Sequence, residues 1–117
     1  MKRTLLPALD SPEARQAVVE SVLAVLHDWG VHPSKQAELL GLAAIGPAQS
    51  LRDDPGVLER AGHLLAIERA LKWLEPHDPA SRHAWLMLPN AGLGGRSPLL
   101  VMLDGLEGIK RVRARIE

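Results

Sequence analysis

Four junctions in this chain set a helix-capping residue directly before a proline: Ser11-Pro12, Asp54-Pro55, Asp78-Pro79 and Ser97-Pro98. Ser and Asp side chains accept a hydrogen bond from an N–H that the first turn of a helix leaves unpaired. Proline at the first helical position has no N–H to leave unpaired, and its φ is already helical. A chain punctuated in this way is committed to helices over most of its length, and the expected fold class is all-α.

Composition points the same way. Phe, Tyr and Cys are absent, so Trp29, Trp73 and Trp85 supply all the large aromatic surface, and aliphatic side chains must fill the core. Hydrophobic residues make up 46 % and charged residues 24 % of the 117 residues, values of a globular chain rather than a disordered one. The core expectation includes Trp73 and Trp85.

Apolar spacing sets the elements. A first helix runs from Pro12 to about Trp29, with Ala14, Val18, Val22, Val25, Leu26 and Trp29 on one stripe and Gly30 ending it. A second runs from Ser34 to about Leu40, closed by Gly41, and a short one covers Pro47 to Arg52. The longest, Pro55 to about Leu74, carries Leu58, Ala61, Leu64, Leu65, Ile67, Leu71 and Leu74 and is the expected central helix. A fifth spans Pro79 to about Met87. The glycine-rich stretch Pro89 to Gly95 must be a loop, and a sixth helix covers Pro98 to Asp104. After Gly105 a seventh runs from about Leu106 to Ile116, with Leu106, Ile109, Val112 and Ile116 inward. About seven helices are therefore expected in one compact unit, with residues 1–54 and 55–117 as its two parts.

The first part contains a helix bearing Gln36-Ala37 followed by Leu39-Leu40-Gly41, the pattern of a helix-turn-helix, where Ala permits close crossing and Gly a sharp turn. Its candidate DNA-contacting residues are Ser34, Lys35 and Gln36, and, on the following short helix, Gln49, Ser50 and Arg52. Asp53 and Asp54 next to them would repel phosphate, and net charge over the whole chain is zero, so charge alone does not indicate nucleic-acid binding. A helix-turn-helix kept as scaffold or dimer surface is the competing reading.

The second part contains Trp85-Leu86, Pro89-Asn90, then Leu93-Gly94-Gly95-Arg96-Ser97-Pro98-Leu99, then Gly108 and a Val112-containing last helix. This string resembles the C-terminal toxin-binding domain of Xre/MbcA/ParS antitoxins, and the resemblance extends more loosely back to Asp28-Trp29-Gly30. It implies an antitoxin of a type II toxin–antitoxin system: a helix-turn-helix-like portion first, a toxin-binding portion (55–117) last, a homodimer within a larger complex, and a cytoplasmic location. The implied partner is a RES-domain toxin that degrades NAD, whose NAD entrance the C-terminal region covers. Regulation of its own operon through promoter DNA is a further implication. The alternative is a helix-turn-helix transcriptional regulator with no toxin partner.

The implied contact surface is the Gly92–Ser97 loop and the last helix. Once the inward positions of that helix are assigned, Lys110, Arg111, Arg113, Arg115 and Glu117 remain for the outside. Arginine forms bidentate pairs with carboxylates and is favoured at interfaces. Glu117 is the residue expected to enter an NAD pocket as an anion; a solvated charged face is the competing reading. Arg96 either contacts the toxin or holds the loop by bonding backbone carbonyls, and Ser97 is a helix cap.

An enzyme, a cofactor and a metal are not expected. The chain lacks cysteine, a phosphate-binding glycine loop and a nucleophile elbow, and His27, His32, His63, His77 and His83 form no i,i+4 ligand pair. No apolar run approaches the roughly 20 residues of a membrane span. Pro7 and Asp10 interrupt the only segment that could start a signal peptide.

Overall fold

The structure, a computed structural model, describes residues 11–74 and 76–117. The signal-peptide reading, which rests on Pro7 and Asp10, lies outside these residues. The described residues form seven α-helices: α1 (Pro12–Asp28), α2 (Pro33–Leu39), α3 (Ala48–Leu51), α4 (Pro55–Leu74), α5 (Pro79–Met87), α6 (Pro98–Met102) and α7 (Leu106–Ile116). One 3-10 turn, Ala91–Leu93, lies between α5 and α6. The all-α expectation holds.

The capped junctions explain where the helices start. Ser11 accepts from the Ala14 N–H at 3.0 Å. Asp54 accepts from Gly56 and Val57 at 2.9 and 3.2 Å, and Asp78 from Ala80 and Ser81 at 3.1 and 3.4 Å. Ser97 accepts from Leu100 at 3.2 Å. A fifth start of the same kind is present at α2, where the His32 ring nitrogen accepts from the Ser34 N–H at 3.2 Å and Pro33 is the first helical residue. The helix therefore begins one residue before the expected Ser34. At the other end of the chain α6 stops at Met102, two residues short of Asp104, and Gly105, at φ 122°, supplies the turn into α7.

Helix α4 is central, packed against α1 along one side and α7 along another, while α6 packs on α7 and α5 on α6. Its fully buried positions, Val57, Ala61, Leu64, Ile67 and Leu71, join Val19, Val22 and Leu26 of α1 and Ile109 and Val112 of α7 in one core. At the end of α1, Trp29 is 3 % exposed and its indole Nε1 donates to Glu68 Oε1 of α4 at 3.0 Å. The only polar atom of Trp29 is thereby satisfied, and the two helices are pinned at that end.

Trp73 departs from expectation: it is 83 % exposed rather than part of the core. Two residues beyond the buried Leu71 a helix has turned about 200°, so Trp73 points out of the core. Leu74 is 57 % exposed beside it. Trp85 is partly buried against the core, as expected.

Candidate functional site

The loop between α5 and α6 is an ordered structure built around Asn90. Its main chain closes on Arg96, the Asn90 N–H donating to the Arg96 carbonyl at 3.1 Å, and its own carbonyl accepts from Gly95 at 3.0 Å. Its side-chain oxygen caps the 3-10 turn by accepting from the Gly92 N–H at 2.9 Å. Leu93, 3 % exposed, anchors the turn in the core. The chain then reverses through Gly94 and Gly95 at φ 71° and 82°, a left-handed pair that residues with a Cβ adopt only under strain.

Arg96 follows this reversal and is bonded within the protein. Its guanidinium meets the Asp104 carboxylate in a two-pronged contact (2.6 and 3.1 Å) and donates to the Leu100 carbonyl at 3.2 Å. The side chain thus spans α6 from the residue before its N-terminal cap to the second residue beyond its end. The hydrogen bond from Arg96 holds the Asp104 carboxyl below the usual carboxylate range. Both partners remain about half exposed, so the pair stays accessible to another protein.

Helix α7 places its charged residues on two flanks. Ile109 and Val112 are fully buried and Ile116 partly so, while Leu106 is only half-buried. The loop-side flank carries Arg111, whose charge reaches Asp104, and Arg115, whose Nε donates to the Asn90 side-chain oxygen at 3.4 Å. Arg115 lies across the backbone of Gly92, where a Cβ would collide with its guanidinium. The α4-side flank carries Lys110, Arg113 and Glu117. Lys110 pairs with Glu107 at 3.5 Å. Arg113 bonds Glu117 at 3.1 Å and approaches the His63 ring nitrogen at 3.0 Å. Burial and the Arg113 charge lower the His63 pKa, so the ring is neutral at pH 7 and accepts from the guanidinium.

The six expected toxin-contacting residues therefore do not form one outward cluster. Arg96, Arg111 and Arg115 frame the loop, whereas Lys110, Arg113 and Glu117 face the groove above α4. Three further participants, Asn90, Asp104 and His63, were not among them. Asn90 has a local signal, an Asn two residues before a Gly in a loop. Asp104 and His63 have none, because their partners lie eight and fifty residues away.

The candidate DNA-contacting residues are largely engaged within the protein. Gln36 donates to the Val31 carbonyl at 2.8 Å, Lys35 pairs with Glu38 at 3.1 Å, and Ser34 contacts the His32 ring at 3.0 Å. Arg52 donates to the Gln16 side chain at 2.8 Å. Gln49 and Ser50 are exposed, but on a helix only four residues long. Asp53 binds Arg15 at 3.0 Å.

Taken together, the fold and the surface define a small helical domain that presents an ordered loop beside a charged last helix. Residues 76–117, the segment that holds α5, the loop, α6 and α7, match the family model of the antitoxin Xre/MbcA/ParS C-terminal toxin-binding domain. The match covers the last third of the chain, which is similar there to the domain by which antitoxins of this type bind a toxin. No curated protein matches the chain. Among the described residues no helix is long and apolar enough to cross a membrane, and no group of three His, Cys, Asp or Glu is placed to hold a metal ion.

Proposed function

We propose that this chain is the non-catalytic antitoxin of a type II toxin–antitoxin pair whose partner is a RES-domain, NAD-degrading toxin. The loop 90–96 and the last turn of α7 cover the toxin's NAD entrance, with Arg96, Arg111 and Arg115 on one side and Lys110, Arg113 and Glu117 on the other. The observation that carries this reading is the bond between Arg115 and Asn90, which makes the loop and the end of α7 one preformed surface within the segment that matches a toxin-binding domain. A preformed surface loses little conformational freedom on docking. Glu117, held by Arg113, offers a carboxylate at the edge of that surface for the cationic groups that a pyrophosphate-binding pocket presents.

Co-expression with the protein encoded by the neighbouring gene, followed by an NAD-depletion assay, tests the proposal. The intact chain should co-purify with that protein and preserve NAD. Removal of residues 113–117 should release NAD loss. Full neutralisation by the truncated chain, with binding unchanged, refutes coverage of the entrance by the C-terminal region.

The proposal includes a homodimer within the complex and a cytoplasmic site of action. Operon control through promoter DNA belongs to the same reading, but few of the expected base-contacting groups are free. A salt-sensitive shift of the chain's own promoter fragment by the toxin–antitoxin complex would support it, and no shift in either the free or the bound form excludes it.

A further inference from the structure

The end of α4 carries an apolar ridge that the fold leaves uncovered. Trp73 and Leu74 form its crest at 83 % and 57 % exposure. Shallow grooves flank the crest on two sides, and Leu74 lines both. One runs toward α7 and ends at Ile116 and Glu117. The other runs toward α5 and ends at Trp85 and Leu88, the latter 59 % exposed. A solvent-facing tryptophan continued by further exposed apolar side chains is the surface expected of a contact site, since scattered apolar residues do not form such a run. Tryptophan is also the residue type that most often carries binding energy at the centre of an interface.

We infer that the toxin-binding surface extends beyond the matched domain onto the end of α4, with Trp73 as its anchor. Two observations name the occupant. First, the ridge is continuous with the toxin-binding domain: Ile116, Glu117, Trp85 and Leu88 all lie within residues 76–117, and only the crest lies before them. A toxin seated over the end of α7 meets Trp73 next. Second, the depression beside Trp73 and Pro76 is lined, among the described residues, by two cations and no acid, Glu117 lying in the neighbouring groove. Arg69 and Lys72 border Trp73. Lys72 is shared with Glu68 at 3.8 Å, whereas Arg69 is exposed and has no ionic partner among the described residues. An apolar depression flanked by carboxylates on the partner would fit both features. A second copy of this chain fits less well, because two-fold pairing of the ridge sets Arg69 and Lys72 near their own counterparts.

This inference rests on the proposed function, and the test separates the two. The full chain is co-expressed with the protein of the neighbouring gene, and the complex dissociation constant is measured for the wild type, Trp73→Ala, Arg69→Glu and the chain lacking residues 113–117. Trp73 is so exposed that Trp73→Ala should leave the melting temperature unchanged. Its dissociation constant should rise at least about 30-fold, and that of Arg69→Glu should rise as well, with a weaker dependence on salt. Wild-type affinity in Trp73→Ala, alongside lost binding in the truncated chain, overturns the inference and leaves the proposed function intact. A Trp73→Ala chain that turns from dimer to monomer while still binding its partner equally well assigns the ridge to a second copy and also overturns it. Failure of the wild type to bind overturns both.

Discussion

Alanine at Gly108 tests the tightest contact in the C-terminal domain. A Cβ at that position would fall on the carbonyl oxygen of Val101 and within 2.9 Å of its carbonyl carbon. The obstacle is the backbone of α6, which cannot rotate away as a side chain would. Helix α6 is fixed at both ends, by the Ser97 cap and by the Arg96–Asp104 pair, so relief requires the whole element to move off α7. Overpacking of this kind costs about 3 kcal/mol, the upper part of its usual range. Alanine recovers up to about 1 kcal/mol through its better helix propensity, which leaves a net loss of about 2 kcal/mol. Gly62 supplies the control. It lies inside α4, is exposed, and a Cβ there meets nothing within 4 Å. Gly62→Ala should therefore stabilise the chain by about 1 kcal/mol through propensity alone. Urea unfolding followed by far-UV circular dichroism reads both changes, and with a slope of about 2 kcal/mol per molar the Gly108→Ala midpoint should fall by about 1 M. If Gly108→Ala is as stable as the wild type, or gains stability as Gly62→Ala does, the close approach of α6 and α7 is wrong.

Asn90→Ala removes the cap on the Gly92 N–H and the acceptor for Arg115; it should cost about 1 kcal/mol in urea unfolding and weaken co-purification with the neighbouring gene's protein, while unchanged binding would detach the loop from the site. His63 has a folded pKa below its ordinary value, so the unfolded chain binds its proton more readily and stability is lost as pH falls from about 6.5 toward the folded value; His63→Asn should lose less melting temperature than the wild type between pH 7.5 and 5.5, and equal losses would refute the assignment. Asp104 has a depressed folded pKa, so its contribution is present above about pH 4 and fades as pH falls through the folded value; the difference in melting temperature between the wild type and Asp104→Asn should close in acid, and a gap that persists there would show that the ion pair is not its origin.

The helix starts were legible because a cap is a local device, reaching three residues at most. Ser11, Asp54, Asp78 and Ser97 each announce their helix without reference to the rest of the molecule. His32 before Pro33 was missed because histidine is an unusual capping residue. Helix phase was readable in outline, but residue type and phase conflicted at Trp73, and phase prevailed. Val19, fully buried, fell outside the expected α1 stripe because α1 touches α4, α2 and α3 and so buries more than one line of positions. At the site, the loop string identified the domain, yet the division of the α7 charges was hidden. Arg113 and Arg115 are two residues apart in one helix, and their separation into different settings depends on which element lies on each side of α7. His63 on one side and Asn90 on the other supply that information only in the folded chain.

Helix α4 links the two halves of the chain in a way that bears on function. Residues 76–117 contain every element of the loop and charged helix, but α7 is packed along α4, which lies outside the matched segment. Ile109 and Val112 owe part of their burial to that packing, and Arg113 reaches its His63 partner only because α4 is there. Helix α4 is in turn seated on α1, through the shared core and the Trp29–Glu68 bond. The helices before α4 thus support α4, which in turn carries α7 and the Trp73 ridge. The bonds of Gln36, Lys35, Ser34 and Arg52 within the protein are consistent with that use. On this account, loosening α1 from α4 weakens toxin binding without any change to a residue of the binding surface.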